Sequence, residues 1–162
     1  MPGLPTADVT MSPSRAIKNA IGRLLNAEAE VTIRVGSTFD RPSLFPHMAP
    51  PEAEYPVVEW GTNEDTASIH QYNQPTNFGR YGISISILGD GSSSIAVDEL
   101  ADYVLYTIKA GGRVHEDGYD LGFVFVNDTG CRTTVRNGFP FIRRRLIFNV
   151  FPSIGETVTP QP

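Results

Sequence analysis

An α+β domain is the fold this sequence predicts: a mostly antiparallel or mixed β-sheet of four to five strands, with two main helices packed on one face. Three observations predict it. Residues 81–87 alternate strictly, with Tyr81, Ile83, Ile85 and Ile87 on one side and Gly82, Ser84 and Ser86 on the other, as a strand with one apolar face must. Two other stretches, 13–25 and 97–108, repeat apolar residues at helical spacing. Asn137-Gly138, between two apolar runs, is the strongest short hairpin signal in the chain.

The elements follow in order. Residues 1–11 contain Pro and Gly without periodicity and are expected to be a flexible arm. Ser12-Pro13 supplies an N-cap and a first-turn proline. Ala16, Ile17, Ala20, Ile21, Leu24 and Leu25 then form one face of a helix whose other side carries Arg15, Lys18, Asn19 and Arg23. Asn26 is placed to cap a second short turn through 27–35, which Gly36 ends. Five prolines between 41 and 56 argue for an extended surface loop, since each fixes φ and lacks a donor. Residues 55–60 (YPVVEW) read as a strand, with Pro56 at its entry. Residues 61–79 are polar and aperiodic, a loop long enough to suggest partner contact, and Ile69, Tyr72 and Phe78 are its candidate contact residues.

After the central strand, Gly89, Asp90 and Gly91 break the pattern and Ser92–Ser94 offer caps for the second main helix. Val97, Leu100, Ala101, Val104, Leu105 and Ile108 make its apolar stripe. Asp98, Glu99 and Asp102 fall early in that helix, where negative charge suits its dipole. Residues 115–118 read as a polar turn and 119–126 (YDLGFVFV) as a strand. Its two faces, Leu121, Phe123 and Phe125 against Val124 and Val126, are both apolar, so both need cover, from loops or from another subunit. Residues 127–130 read as a turn, 131–136 as a strand and 141–151 as the closing strand. The domain is thus expected over 12–151, with a flexible tail over 152–162.

Composition narrows the function classes. A net charge of −5 disfavours a dedicated nucleic-acid binder. The single cysteine, Cys131, excludes an internal disulfide, fits a reducing compartment and has no activating neighbour in sequence. No apolar run approaches membrane-spanning length, and the N-terminus lacks the pattern of a signal peptide, so the expectation is a soluble, intracellular product with no membrane partner.

No chemical constellation emerges. The 89–94 turn departs from a dinucleotide fingerprint at its third glycine and lacks a P-loop ending. His115, Glu116, Asp117 and Asp120 lack metal-ligand spacing, His47 and His70 stand apart, and no nucleophile elbow occurs. The expectation is no catalytic residue, no metal and no cofactor. Arg143-Arg144-Arg145 is the one charge run. Alternation sends Arg143 and Arg145 to one face with Phe141 and Ile147, and Arg144 to the other among Ile142, Leu146, Phe148 and Val150. The plain reading is solvated or salt-bridged sheet surface; the functional ones are a phosphate-facing patch or a subunit contact at Phe141, Arg143, Arg145 and Ile147.

Across 12–151, the chain resembles the tail terminator, or tail-completion, proteins of long-tailed bacteriophages. The resemblance rests on the opening helix continuing into NAEAEVTIRVG (26–36), on YPVVEW (55–60), and on the strand, small-residue turn and helix of 80–109 followed by RRLIFNV (144–150). The 61–79 loop and the C-terminal tail are longer than that pattern. The resemblance implies a virion structural protein without enzymatic residues, found in the tail or neck and in the host cytoplasm during assembly. It implies a homohexameric ring that caps the tail tube protein and joins it to the head–tail connector proteins, with non-specific contact to passing DNA as a further option. The alternatives are a head-completion or connector-adaptor protein, another tail subunit, or an α+β ligand-binding or enzymatic domain using the 89–94 turn.

Overall fold

The computed structural model describes residues 12–63, 79–91 and 94–154. The element order is α1 (Pro13–Asn26), α2 (Ala29–Thr32), β1 (Ser37–Thr38), β2 (Arg41–Pro42), β3 (Leu44–Phe45), β4 (Val57–Asn63), β5 (Tyr81–Gly89), α3 (Ser94–Gly111), β6 (Arg113–Glu116), β7 (Tyr119–Arg136) and β8 (Phe139–Ile154). β1 and β2 form a small ribbon, and the main sheet has six strands in the order β3-β4-β5-β8-β7-β6. Only β3–β4 is parallel. The class is α+β as expected, but the sheet is larger than the four to five strands read from sequence.

The extra strands lie where sequence signals were weakest. β3 is two residues of the proline-rich segment, which is therefore not simply a surface loop: Ser43 and Ala53 are buried, and the Val58 amide donates to the Ser43 carbonyl. The polar turn expected over 115–118 overlaps the end of β6. In the structure Glu116 pairs with Tyr119 around Asp117-Gly118, both at positive φ (52° and 86°), the geometry of a two-residue hairpin. Asn137 and Gly138 repeat it (53° and 84°) between β7 and β8. Residues 127–130, expected to be a turn, lie within β7, whose pairing slips at Phe125/Asn127 and Asp128/Cys131. Bulges let one long strand bend without ending.

Ser12 caps α1 by accepting from the Arg15 amide at 3.2 Å. The cap of α2 is Glu28 rather than Asn26, whose amide instead donates to the Gly22 carbonyl within α1. α3 packs on the face formed by Ile83, Ile85 and Ile87 of β5 and Leu146, Phe148 and Val150 of β8, all essentially buried, and α1 lies beside α3 against β3, β4, β6 and β7 in the same core. Trp60 locks α1 to β4: its indole N–H donates to the Lys18 carbonyl at 3.0 Å. Arg144, the charged member of this apolar face, is satisfied by Asp128 of β7 (2.6 Å) and by Asp98 and Asp102 of α3 (3.1 Å each). Asp98 and Glu99 lie a turn inside α3, so they serve as cross-links to Arg144 and Arg34 rather than as charges on the first turn.

The sheet curls. Arg136 on β7 reaches Glu59 on β4 with two nitrogens, at 2.7 and 3.0 Å, across the intervening β8 and β5. In a flat sheet those strands would be roughly 14 Å apart, beyond an arginine side chain, so the distal β7–β8 hairpin must fold back over the face that carries no helix. Gly91 meets the same hairpin, at the Pro140 carbonyl.

Candidate functional site

The helix-free face is built by strand alternation. Register places Glu59 beside Ser86, Ser86 beside Arg145, Leu88 beside Arg143, Ser84 beside Ile147, and Arg143 beside Arg132. Of the seven contact residues read from sequence, Phe141, Arg143, Arg145 and Ile147 lie together on this face and are half-buried. Ile69, Tyr72 and Phe78, with most of the 61–79 loop, lie outside the described residues, as do the 1–11 arm and the tail from 155 onward. β4 itself continues to Asn63, so Gly61, Thr62 and Asn63 are strand rather than loop.

Phe141 belongs to a small second core. Its ring lies 4.9 Å from that of Tyr55, over buried Ala53, Val57 and Leu88. Next to it four arginines gather: Arg132, Arg136, Arg143 and Arg145. Burial, reinforced by the three neighbouring guanidiniums, makes the charge of Arg143 easier to lose than usual. Glu59 is the one carboxylate paired with the group among the described residues. It is itself buried, held by Arg136 and by the Ala49 amide at 2.7 Å, and its hydrogen bonds raise the affinity of Arg136 for its proton. The Nε atoms of Arg143 and Arg145, and Ser84 Oγ, are buried without a hydrogen-bond partner among the described residues. An open cavity of about 390 Å³ lies here, lined by His47, Met48, Glu59, Thr62, Ser84 and Arg145 among others.

Sequence reading missed Glu59 and Arg136. A lone glutamate inside the apolar run YPVVEW was the available signal, because a charge buried in a strand needs a partner. The apolar excess of β7 does face outward: Val124 and Val126 are about half exposed (50% and 51%), and Phe151 joins them at 44%.

The other sequence candidates resolve into structure. His115 and Asp120 pair at 2.9 Å, and Glu116 binds Arg23 at 2.8 Å, so this cluster ties the β6–β7 hairpin to α1. No group of three or more His, Cys, Asp or Glu among the described residues is arranged to hold a metal. Cys131 donates its thiol proton to Asp98 at 3.0 Å, and burial first, then that carboxylate, push its pKa up to about 11. Ser92 and Ser93 of the glycine–serine turn lie outside the described residues. No described helix is long and apolar enough to cross a membrane.

No family model and no curated protein matches this sequence. In fold it is similar to a chain of a solved structure, the virion of native gene transfer agent (GTA) particle, with a TM-score of 0.66 at 17% identity. That likeness covers 89% of this chain and 99% of the other, so the two share an architecture from nearly end to end.

Proposed function

We propose that this chain is a virion structural protein, and more narrowly a tail terminator subunit. In that role it forms a homohexameric ring that caps the tail tube and joins it to the head–tail connector. The observation that carries the reading is the fold shared with a chain of the gene transfer agent virion over 99% of that chain. It agrees with the sequence resemblance across 12–151, which has an independent basis in residue patterns. The helix-free face, where Arg143, Arg145 and Ile147 stay half-buried although the β7–β8 hairpin folds back over part of it, suits a subunit completed by neighbours. The role asks for no catalytic residue, metal or cofactor, and places the protein in the tail or neck of the particle, and in host cytoplasm while particles assemble.

The test is assembly. Purified protein should form closed six-membered rings in negative-stain images and sediment as the corresponding oligomer. Antibody label should fall at the head–tail junction, and particles made without the protein should carry tubes of uncontrolled length. Tubes of normal length without heads would favour a head-completion or adaptor role. A monomer at every concentration, with no label on particles, would overturn the reading.

A further inference from the structure

We infer that the arginine-bearing sheet face is a docking surface for a second copy of this chain, and that it receives the acidic α2–α3 surface of that copy head to tail. The inference rests on the assembly reading above. It starts from a charge separation within the subunit. On the sheet face, of Arg132, Arg136, Arg143 and Arg145, only Arg136 has a carboxylate partner among the described residues, Glu59. On the α2–α3 surface, Glu30, Asp98, Glu99, Asp102 and Asp128 pair with Arg34 and Arg144. Asp98, Glu99 and Asp102 are more than half exposed, so their charge is available to a neighbour although each already touches an arginine. Lys109 lies two turns further along α3, over the Phe125 ring.

Apolar surface accompanies each patch. Ile95 and Tyr106 stand out from α3 beside the carboxylates, 75% and 67% exposed. Phe141 and Ile147 flank the arginines on the sheet. Each surface thus offers apolar contact together with charge of the sign the other lacks, the composition of a specific protein interface.

The same separation selects the symmetry. Two sheet faces meeting about a two-fold axis would bring eight guanidiniums together against two carboxylates, and two α3 faces would crowd acids in the same way. Head-to-tail contact pairs opposite charges at every junction, and a repeated head-to-tail contact closes into a ring when its rotation permits. A nucleic-acid phosphate is the competing occupant. It is disfavoured because the whole chain carries a net −5 and a carboxylate, Glu59, already stands among these arginines.

Charge exchange tests this with full-length protein. Arg143→Glu with Arg145→Glu, and separately Glu99→Lys with Asp102→Lys, should each raise the association midpoint by about tenfold or more in sedimentation. All four changes in one chain should restore assembly, because every junction then carries the reversed pair. Circular dichroism checks the fold, and Arg143→Gln with Arg145→Gln replaces the reversal if the glutamates unfold the subunit; it should weaken assembly in the same direction. Unchanged assembly in folded single-face variants would overturn the contact and leave the ring reading standing. Weakened assembly that the fourfold variant does not recover would overturn the proposed partner surface. Normal assembly with reduced retention of duplex DNA would assign the arginines to phosphate and also overturn it. A wild-type monomer at every concentration would overturn both this contact and the proposed function.

Discussion

Arg144 shows how one residue joins three elements. It lies on β8, 11% exposed, and binds Asp128 on β7 and Asp98 and Asp102 on α3. Arg144→Leu keeps the side chain's bulk but leaves three carboxylates without their cation. Charged hydrogen bonds to a part-buried group contribute roughly 1.5–3 kcal/mol, the lower end applying because Asp98 and Asp102 face water. Urea denaturation should read that loss, and an unchanged midpoint would mean that the bridge is decorative. Asp128 gives the pH dependence. Its hydrogen bond to Arg144, helped by the Gly130 amide and opposed by burial, holds its carboxyl below the usual carboxylate range. Its stabilisation is therefore complete above about pH 4, the pKa of an unfolded aspartate, and is lost as pH falls through the lower folded value. Asp128→Asn should flatten the acid limb of the stability curve. Cys131 should alkylate slowly at pH 7–8 in the folded protein and faster as pH approaches about 11, where its thiol ionises.

At the scale of elements, two backbone junctions carry the packing. Gly36 follows α2 and donates its amide to the Pro56 carbonyl, so the chain passes directly against the segment entering β4. A β-carbon at Gly36 would overlap the Glu54 carbonyl, and backbone cannot yield as a flexible side chain can. Gly36→Ala should cost about 1–3 kcal/mol, read as a lower thermal midpoint. Where β5 meets α3, Ile85 is fully buried, and Leu105 packs partly buried against the same core. Ile85→Ala should cost roughly 2–5 kcal/mol, with Leu105→Ala costing less because its site is partly open. Equal losses would contradict the difference in burial.

Across the whole molecule, the Glu59–Arg136 pair ties together strands that the topology separates by two others. Arg136→Ala strands a buried carboxylate and should cost about 3–5 kcal/mol, whereas Glu59→Gln removes the buried charge and should cost less. Amide exchange should quicken in β4 and in the 136–139 hairpin together when the pair is broken. Exchange that quickened in only one of them would show that the hairpin is held back by other contacts.

The sequence by itself determined the local elements with strong periodicity. β5, α1, α3 and the Asn137-Gly138 turn follow from alternation, helical spacing and turn chemistry, and these are properties of neighbours in the chain. It also determined that Phe141, Arg143, Arg145 and Ile147 share a face, because a strand has a period of two. Asp117-Gly118 carried the signal for β6, although its polar neighbours obscured it. Tertiary structure alone decided the rest. β3 is too short and proline-rich to announce itself, and exists because β4 offers an edge to pair with. β7 continues through 127–130 because pairing with β8 outweighs local turn preference, absorbed as bulges. The joining of Glu59 to Arg136, separated by 77 residues, and the separation of basic and acidic surfaces onto opposite sides of the sheet depend on curl and on helix placement. No spacing along the chain encodes those, since they arise only when distant segments are brought into contact.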